Sequence, residues 1–73
     1  MPGKIYTKEQ ELTIALLKKA RLQSNLTQSD VAHLLGVTQS YVSKVESGQT
    51  RIDIISLREF AKIYKKHVGW FLE

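Results

Sequence analysis

The sequence predicts an all-α fold, a single compact bundle of about five short helices. Apolar side chains recur at intervals of three and four residues, and no stretch has the two-residue alternation of a strand. Thr27 and Thr38 stand where helix N-caps are expected, and Gly36 and Gly48 stand where the following helices should end. A chain of 73 residues is long enough for one core and too short for a second domain.

The first helix is predicted from about Lys8 to about Gln23. Acidic residues in its first turn and basic residues near its end suit the helix dipole, and Thr7 is its expected N-cap. Its inward stripe is expected to comprise Leu12, Ala15 or Leu16, Leu17 and Ala20. Residues 1–7 contain Pro2 and Gly3 without periodicity, so we expect a flexible arm there and one domain over residues 8–73.

Two short helices should follow around a tight turn. Thr27 with Asp30 three residues later is a close variant of the capping box, and Gly36 supplies the left-handed position that ends this helix. The next helix is predicted after Thr38 and before Gly48, with one apolar and one polar face. Valines and one leucine are expected to fill the wedge between the two helices: Val31, Leu35, Val37, Val42 and Val45.

A fourth helix is predicted from Ile54 or Ile55 to Lys66. Its expected inward residues are Leu57, Phe60, Ala61 and Tyr64, with basic residues mostly outward. Residues 68–72 are strongly apolar and predict a short fifth helix or a turn.

The segment from Gln28 to about Ser47 has the spacing of a helix-turn-helix, with small Ala32 where the two helices must approach closely. From about Leu17 to about Tyr64 the chain resembles the XRE-like family of phage repressor and Cro-type regulators, which has the lambda repressor-like fold. The matching pieces are Leu26-Thr-Gln28, Val31-Ala32, Leu35-Gly36-Val37, Gln39-Ser40, Val42-Ser43 and Glu46-Ser-Gly48.

The resemblance implies that the third helix enters the major groove of double-stranded DNA while the second lies across the backbone. The polar face of the third helix suits this role, because Gln39 can pair with adenine, Lys44 can donate to guanine, and serine hydroxyls can bond to either base. The expected base-reading residues are Gln39, Ser40, Ser43 and Lys44. An ordinary solvated face is the alternative for such a helix.

Other polar residues are expected to contact the DNA backbone without reading the base sequence. Gln28 matches the phosphate-contacting glutamine of the family and lies where backbone N–H groups also favour an anion. The full expected set is Thr27, Gln28, Tyr41, Ser47, Gln49, Thr50 and Arg51. Arg21 and Glu46 match family positions that form a structural ion pair, which we favour over direct DNA contact.

The apolar C-terminus predicts a dimer contact through Val68, Trp70, Phe71 and Leu72, because so small a domain can scarcely bury all these side chains. A two-fold dimer would place two recognition helices in successive major grooves of an inverted repeat. The alternative is that Trp70 and Leu72 only cover the core of a monomer.

These patterns predict a sequence-specific transcriptional regulator, and the resemblance implies one of bacterial or phage type. We expect it to act as a homodimeric repressor. Activation through a contact with RNA polymerase stays open. The alternative is a protein-interaction module of the same fold, an antitoxin or adaptor that uses the apolar C-terminus. The net charge of +4 agrees with a polyanionic partner.

Several other classes of protein are disfavoured. The absence of cysteine favours a reducing, cytoplasmic location, and no apolar run is long enough for a signal or a membrane span. No catalytic motif stands out, so we expect no enzyme and no cofactor. His33 and His67 are far apart in sequence, so we expect no metal site. No second domain is predicted that could hold a small-molecule ligand.

Overall fold

Residues 8–72 are described by the computed structural model, and they contain helices and turns without a strand. Four α-helices are followed by one 3₁₀ helix: α1 Lys8–Gln23, α2 Gln28–Leu35, α3 Gln39–Ser47, α4 Ile54–Tyr64 and the 3₁₀ helix Val68–Leu72. The all-α class is confirmed. The predicted arm over residues 1–7, with its cap Thr7, lies outside the described residues, as does Glu73.

The count of about five helices needs correction, because the last segment is a 3₁₀ helix and not an α-helix. The backbone N–H of Trp70 donates to the carbonyl of His67 at 3.0 Å, which is the i to i+3 spacing of a 3₁₀ turn. At the other end, the Thr13 hydroxyl of α1 donates to the Phe71 carbonyl at 2.9 Å. This contact ties the C-terminal segment to the first helix.

The helix ends follow from local chemistry. The hydroxyls of Thr27 and Thr38 accept from the backbone N–H groups of Asp30 and Tyr41, at 3.0 Å and 3.1 Å. Gly36 ends α2 at φ +73°, a conformation that costs a residue with a Cβ atom about 1 kcal/mol or more. These interactions fix the short turn between α2 and α3, and so fix how the two helices cross.

The fourth helix ends earlier than expected, at Tyr64 and not at Lys66. Lys65 adopts the left-handed conformation with φ 58°, and its N–H donates to the Lys62 carbonyl. The helix begins at Ile54 because the Asp53 carboxylate accepts from the Ser56 N–H at 2.7 Å.

A single core lies where all the helices meet. Its buried members include Leu17, Ala20, Val31, Ala32, Val42, Val45, Leu57, Phe60, Ala61, Tyr64 and Phe71. Two expectations for the core are wrong. In α1, Ile14 is buried whereas Leu12 is exposed, because the first half of the helix contacts the 3₁₀ segment. Of the alternatives Ala15 and Leu16, Ala15 is exposed and Leu16 packs against the core. Val37 is 39% exposed, because it follows the left-handed Gly36 at the edge of the turn.

No helix within residues 8–72 has the length and apolar character needed to cross a bilayer.

Candidate nucleic-acid interface

The third helix has a buried face and an exposed face. Val42 and Val45 are completely buried against the rest of the domain, and α3 packs mainly against α2. The four residues expected to read bases, Gln39, Ser40, Ser43 and Lys44, are all exposed. Because the buried valines fix the rotation of the helix, the four polar side chains form one outward surface, which we call the α3 polar face.

Next to this face, the start of α2 forms a shallow concavity. Thr27, Gln28 and Ser29 line it together with Gln39, the first residue of α3. The first backbone N–H groups of a helix have no partner within the helix and carry partial positive charge. This concavity is therefore suited to an anionic oxygen beside the α3 polar face.

The capping box at this point is complete. Thr27 accepts from the Asp30 N–H, and the Thr27 N–H donates to Oδ2 of Asp30 at 2.9 Å. That backbone hydrogen bond lowers the pKa of Asp30. The Thr27 hydroxyl also hydrogen-bonds to the Asp30 carboxylate, which lowers the pKa of Asp30 further.

The residues expected at the DNA backbone fall into separate groups. Thr27 and Gln28 lie at the concavity beside Gln39. Thr50 and Arg51 instead line a second groove, of about 190 Å³, together with apolar residues of α1, α4 and the C-terminus. Ser47 and Gln49 are exposed at the end of α3, and the Ser47 hydroxyl donates to the Lys44 carbonyl at 3.3 Å.

Tyr41 differs from the other members of this set, because part of its side chain packs against the core. It lines a narrow groove between the α2–α3 turn and α4, with Leu35 and Phe60 as neighbours. Tyr41 therefore has a packing role whatever else its hydroxyl contacts.

Arg21 and Glu46 form an ion pair inside the domain. Nε of Arg21 lies 2.8 Å from Oε2 of Glu46, and the second terminal nitrogen of Arg21 lies 3.1 Å from Oε1. The side chains of Arg21 and Glu46 are 10% and 4% exposed. The remaining terminal nitrogen donates to the Leu26 carbonyl at 2.9 Å. Hydrogen bonding to Glu46 raises the pKa of Arg21, so the pair joins α1, the α1–α2 loop and α3 as fixed charges.

A third side chain, which the sequence pattern does not predict, joins this pair. Nε2 of Gln28 donates to Oε1 of Glu46 at 3.1 Å. The available signal was helical spacing, because Glu46 lies four residues after Val42 and so belongs to the side of α3 that faces α2.

The C-terminal segment divides between core and surface. Phe71 is 1% exposed, whereas Leu72 is 58% exposed. The expectation that Phe71 forms part of a dimer contact is therefore corrected, because its ring is already enclosed by its own chain. Val68 and Trp70 are half-buried, and Lys66 lies 4.3 Å above the Trp70 ring.

Another apolar surface was missed. Ile54 and Ile55 are exposed at the start of α4, and Ile54 lines the 190 Å³ groove with Leu72. Ile54 lies three residues before Leu57, on the same side of α4, yet it is beyond the edge of the core. No sequence signal separates such a position from a buried one.

Comparison with known proteins agrees with this arrangement. No curated protein matches the sequence closely enough to count as a relative. The family model HTH_3, described as helix-turn-helix, matches residues 17–71, which is most of the chain and includes all four α-helices in whole or in part. The chain thus belongs to the HTH_3 helix-turn-helix family of DNA-binding regulators.

Proposed function

We propose that the protein is a sequence-specific transcriptional regulator that acts by binding double-stranded DNA and not by catalysis. The observation that carries this proposal is the α3 polar face, whose four side chains are exposed while the opposite face of the helix is buried. An isolated polar helix is ordinary surface. Here it is rigidly held beside the start of α2, as a groove-reading helix must be.

The side chains on this face have the hydrogen-bonding groups needed for base recognition. The Gln39 amide can donate to N7 and accept from the N6 amino group of adenine in the paired arrangement, and Lys44 can donate to O6 and N7 of guanine. Ser40 and Ser43 can donate or accept. We assign base reading to these four residues, each good bidentate pair discriminating by about 1–3 kcal/mol.

Backbone contacts would surround this face. The concavity formed by Thr27 and Gln28 lies beside Gln39 and accepts one phosphate in our assignment. Ser47, the last residue of α3, and Gln49 just beyond it continue the contact surface. Each DNA phosphate that a lysine or arginine side chain neutralises adds to the salt dependence, so that binding weakens as the salt concentration is raised.

We further propose that two copies bind an inverted repeat and repress by occupying it. Leu72 and Ile54 supply exposed apolar surface at the 190 Å³ groove, so a two-fold contact would bury Leu72 of each copy against the same region of the other. Phe71, which was expected at the dimer contact, takes no part in this arrangement. Leu72 remains in the contact, and Val68 and Trp70 lie at its edge. Two recognition helices would then meet DNA about 34 Å apart.

A second candidate is a protein-interaction module, and a specific observation favours it. Ile54, Ile55 and Leu72 are each more than half exposed on a small domain, and such apolar surface is typical of partner contacts. In that case the α3 polar face would be dispensable.

Selection of bound duplexes from a random pool, followed by titration at two salt concentrations, tests the proposal. We expect an enriched inverted repeat bound about 10³-fold or more tightly than scrambled DNA. Gln39→Ala and Lys44→Ala should lose that preference while they stay folded. Lys62→Ala is the matched control, because Lys62 is also exposed but lies on α4. Salt-sensitive binding without an enriched motif would reject sequence-specific regulation and favour the interaction module.

A further inference from the structure

The buried carboxylate of Glu46 contacts a residue that lies at the candidate phosphate site. Its Oε1 atom accepts from Nε2 of Gln28, and both of its oxygens accept from Arg21. Gln28 is the first residue of α2, is half-buried, and lines the concavity shared with Gln39. One side chain in the interior of the domain thus holds another that reaches its surface.

The chemistry of Glu46 restricts the orientation of the Gln28 amide. An ionised carboxylate only accepts hydrogen bonds, whereas a glutamine amide has a donating nitrogen and an accepting oxygen. The amide must therefore turn its nitrogen towards Glu46, because the opposite orientation would place two acceptors in contact. One N–H of Gln28 is used in this way, and the second N–H is left to donate elsewhere.

Arg21 supplies the counter-charge in this arrangement. Its guanidinium donates to both oxygens of Glu46 and to the Leu26 carbonyl, so a positive charge lies against the carboxylate that accepts from Gln28. A glutamine side chain on a surface loses rotational freedom when it binds a ligand, and this loss weakens binding. A glutamine already held by Glu46 has lost part of that freedom before DNA arrives.

We infer that Glu46 is a positioning residue for DNA binding, which holds the Gln28 amide so that its second N–H donates to a DNA phosphate. The inference rests on the proposed function, because it needs a DNA site. It assigns Glu46 a role beyond the stability of the ion pair. That role is specific to one phosphate, whereas a loss of folding would affect every contact.

The test replaces each phosphate of the selected duplex in turn by an uncharged methylphosphonate. With the wild-type protein, we expect one substitution to weaken binding about tenfold or more through loss of the Gln28 contact. Gln28→Ala should abolish the sensitivity at that phosphate alone. Glu46→Gln should reduce the same sensitivity while other phosphates keep theirs, because the new amide no longer imposes one orientation on Gln28.

Arg21→Lys is the matched control for stability. It weakens the ion pair yet leaves the Glu46 carboxylate to accept from Gln28, so it should lower the melting temperature and preserve the sensitivity at that phosphate. Equal loss of sensitivity in Glu46→Gln and Arg21→Lys would overturn the inference and leave Glu46 a purely structural role. So would unchanged sensitivity in Glu46→Gln.

If Glu46→Gln does not fold, NMR of the wild-type protein decides. We expect the side-chain N–H proton of Gln28 that bonds to Glu46 to be shifted from its free-amide value before DNA is added, and the other side-chain proton to shift on binding. Free-amide values in the unbound protein would overturn the inference. Failure of the wild-type protein to select any duplex would instead reject the proposed function, and these outcomes are readily distinguished.

Discussion

Glu46, near the end of α3, is bound through both carboxylate oxygens by Arg21 of α1. Neither side chain is more than 10% exposed, so each depends on the other for charge compensation. Removing two charges from water offsets much of their mutual attraction, so a buried ion pair adds little net stability. The loss of one partner is costly, because the other charge stays buried without compensation. The pair therefore sets where α3 lies relative to the first helix.

Removal of one partner should show this dependence. We expect Glu46→Ala to lower the free energy of unfolding by roughly 3–5 kcal/mol, because Arg21 would be left buried without a counter-charge. Lys44→Ala, two residues away on the exposed face, should change it by less than about 0.5 kcal/mol. Urea titrations of the two variants provide the measurement, and equal midpoints would contradict the assignment.

How much the sequence predicts depends on how local the cause is. The bounds of α2 and α3 are predicted correctly because Thr27, Thr38, Gly36 and Gly48 act on their own turns. The rotation of α1 is not, because the apolar residues between Leu12 and Leu17 lie on several sides of the helix, and only packing against the rest of the domain selects Ile14.

The same reasoning applies to the candidate site. The residues of the α3 polar face could be chosen from helical spacing and the family resemblance. The contact between Gln28 and Glu46 joins residues 18 positions apart, so it depends on how α2 and α3 pack. The exposure of Ile54 and Ile55 likewise depends on where the core stops.

The hydroxyl of Tyr64 is buried without a hydrogen-bond partner within the described part of the chain. Burial raises the pKa of this group, which keeps it neutral. Since an unpaired buried hydroxyl costs about 1–3 kcal/mol, we expect Tyr64→Phe to leave stability unchanged or to raise it by about 1 kcal/mol. Thermal unfolding measures the change, and a clear loss of stability would mean that the hydroxyl is paired.

Phe71 and its neighbour Leu72 should respond differently to truncation. Phe71→Ala removes a ring that is 1% exposed, and we expect a loss of about 3–5 kcal/mol. Leu72→Ala should cost the monomer less than about 0.5 kcal/mol but shift a dimer towards monomer. Urea unfolding and sedimentation separate the two effects. An unchanged association constant for Leu72→Ala would remove Leu72 from the dimer contact.

Lys65 adopts a conformation that favours glycine, with φ 58° at the end of α4. Lys65→Gly should therefore raise the free energy of unfolding by about 0.5–1 kcal/mol, because it relieves the contact of the Cβ atom. Lys62→Gly, inside the same helix, should lower it by about 1 kcal/mol. If both variants lose stability to the same extent, the left-handed end of α4 is not present in solution.

Asp53 should make the start of α4 sensitive to acid. Its carboxylate accepts from the Ser56 N–H, and this backbone hydrogen bond lowers the pKa of Asp53. A group whose pKa is lower in the folded state stabilises the fold fully above its unfolded pKa of about 3.9, and this contribution disappears as the pH falls through the folded pKa. We therefore expect the wild-type protein to have a higher urea midpoint than Asp53→Ala at pH 7, with a difference between the two midpoints that narrows below about pH 4.

Asp53→Asn is the control, because its neutral side-chain oxygen can cap α4 at every pH, so its higher midpoint relative to Asp53→Ala should persist in acid. A gap between wild type and Asp53→Ala that stays constant from pH 7 down to about pH 2 would show that the charge of Asp53 does not stabilise the helix.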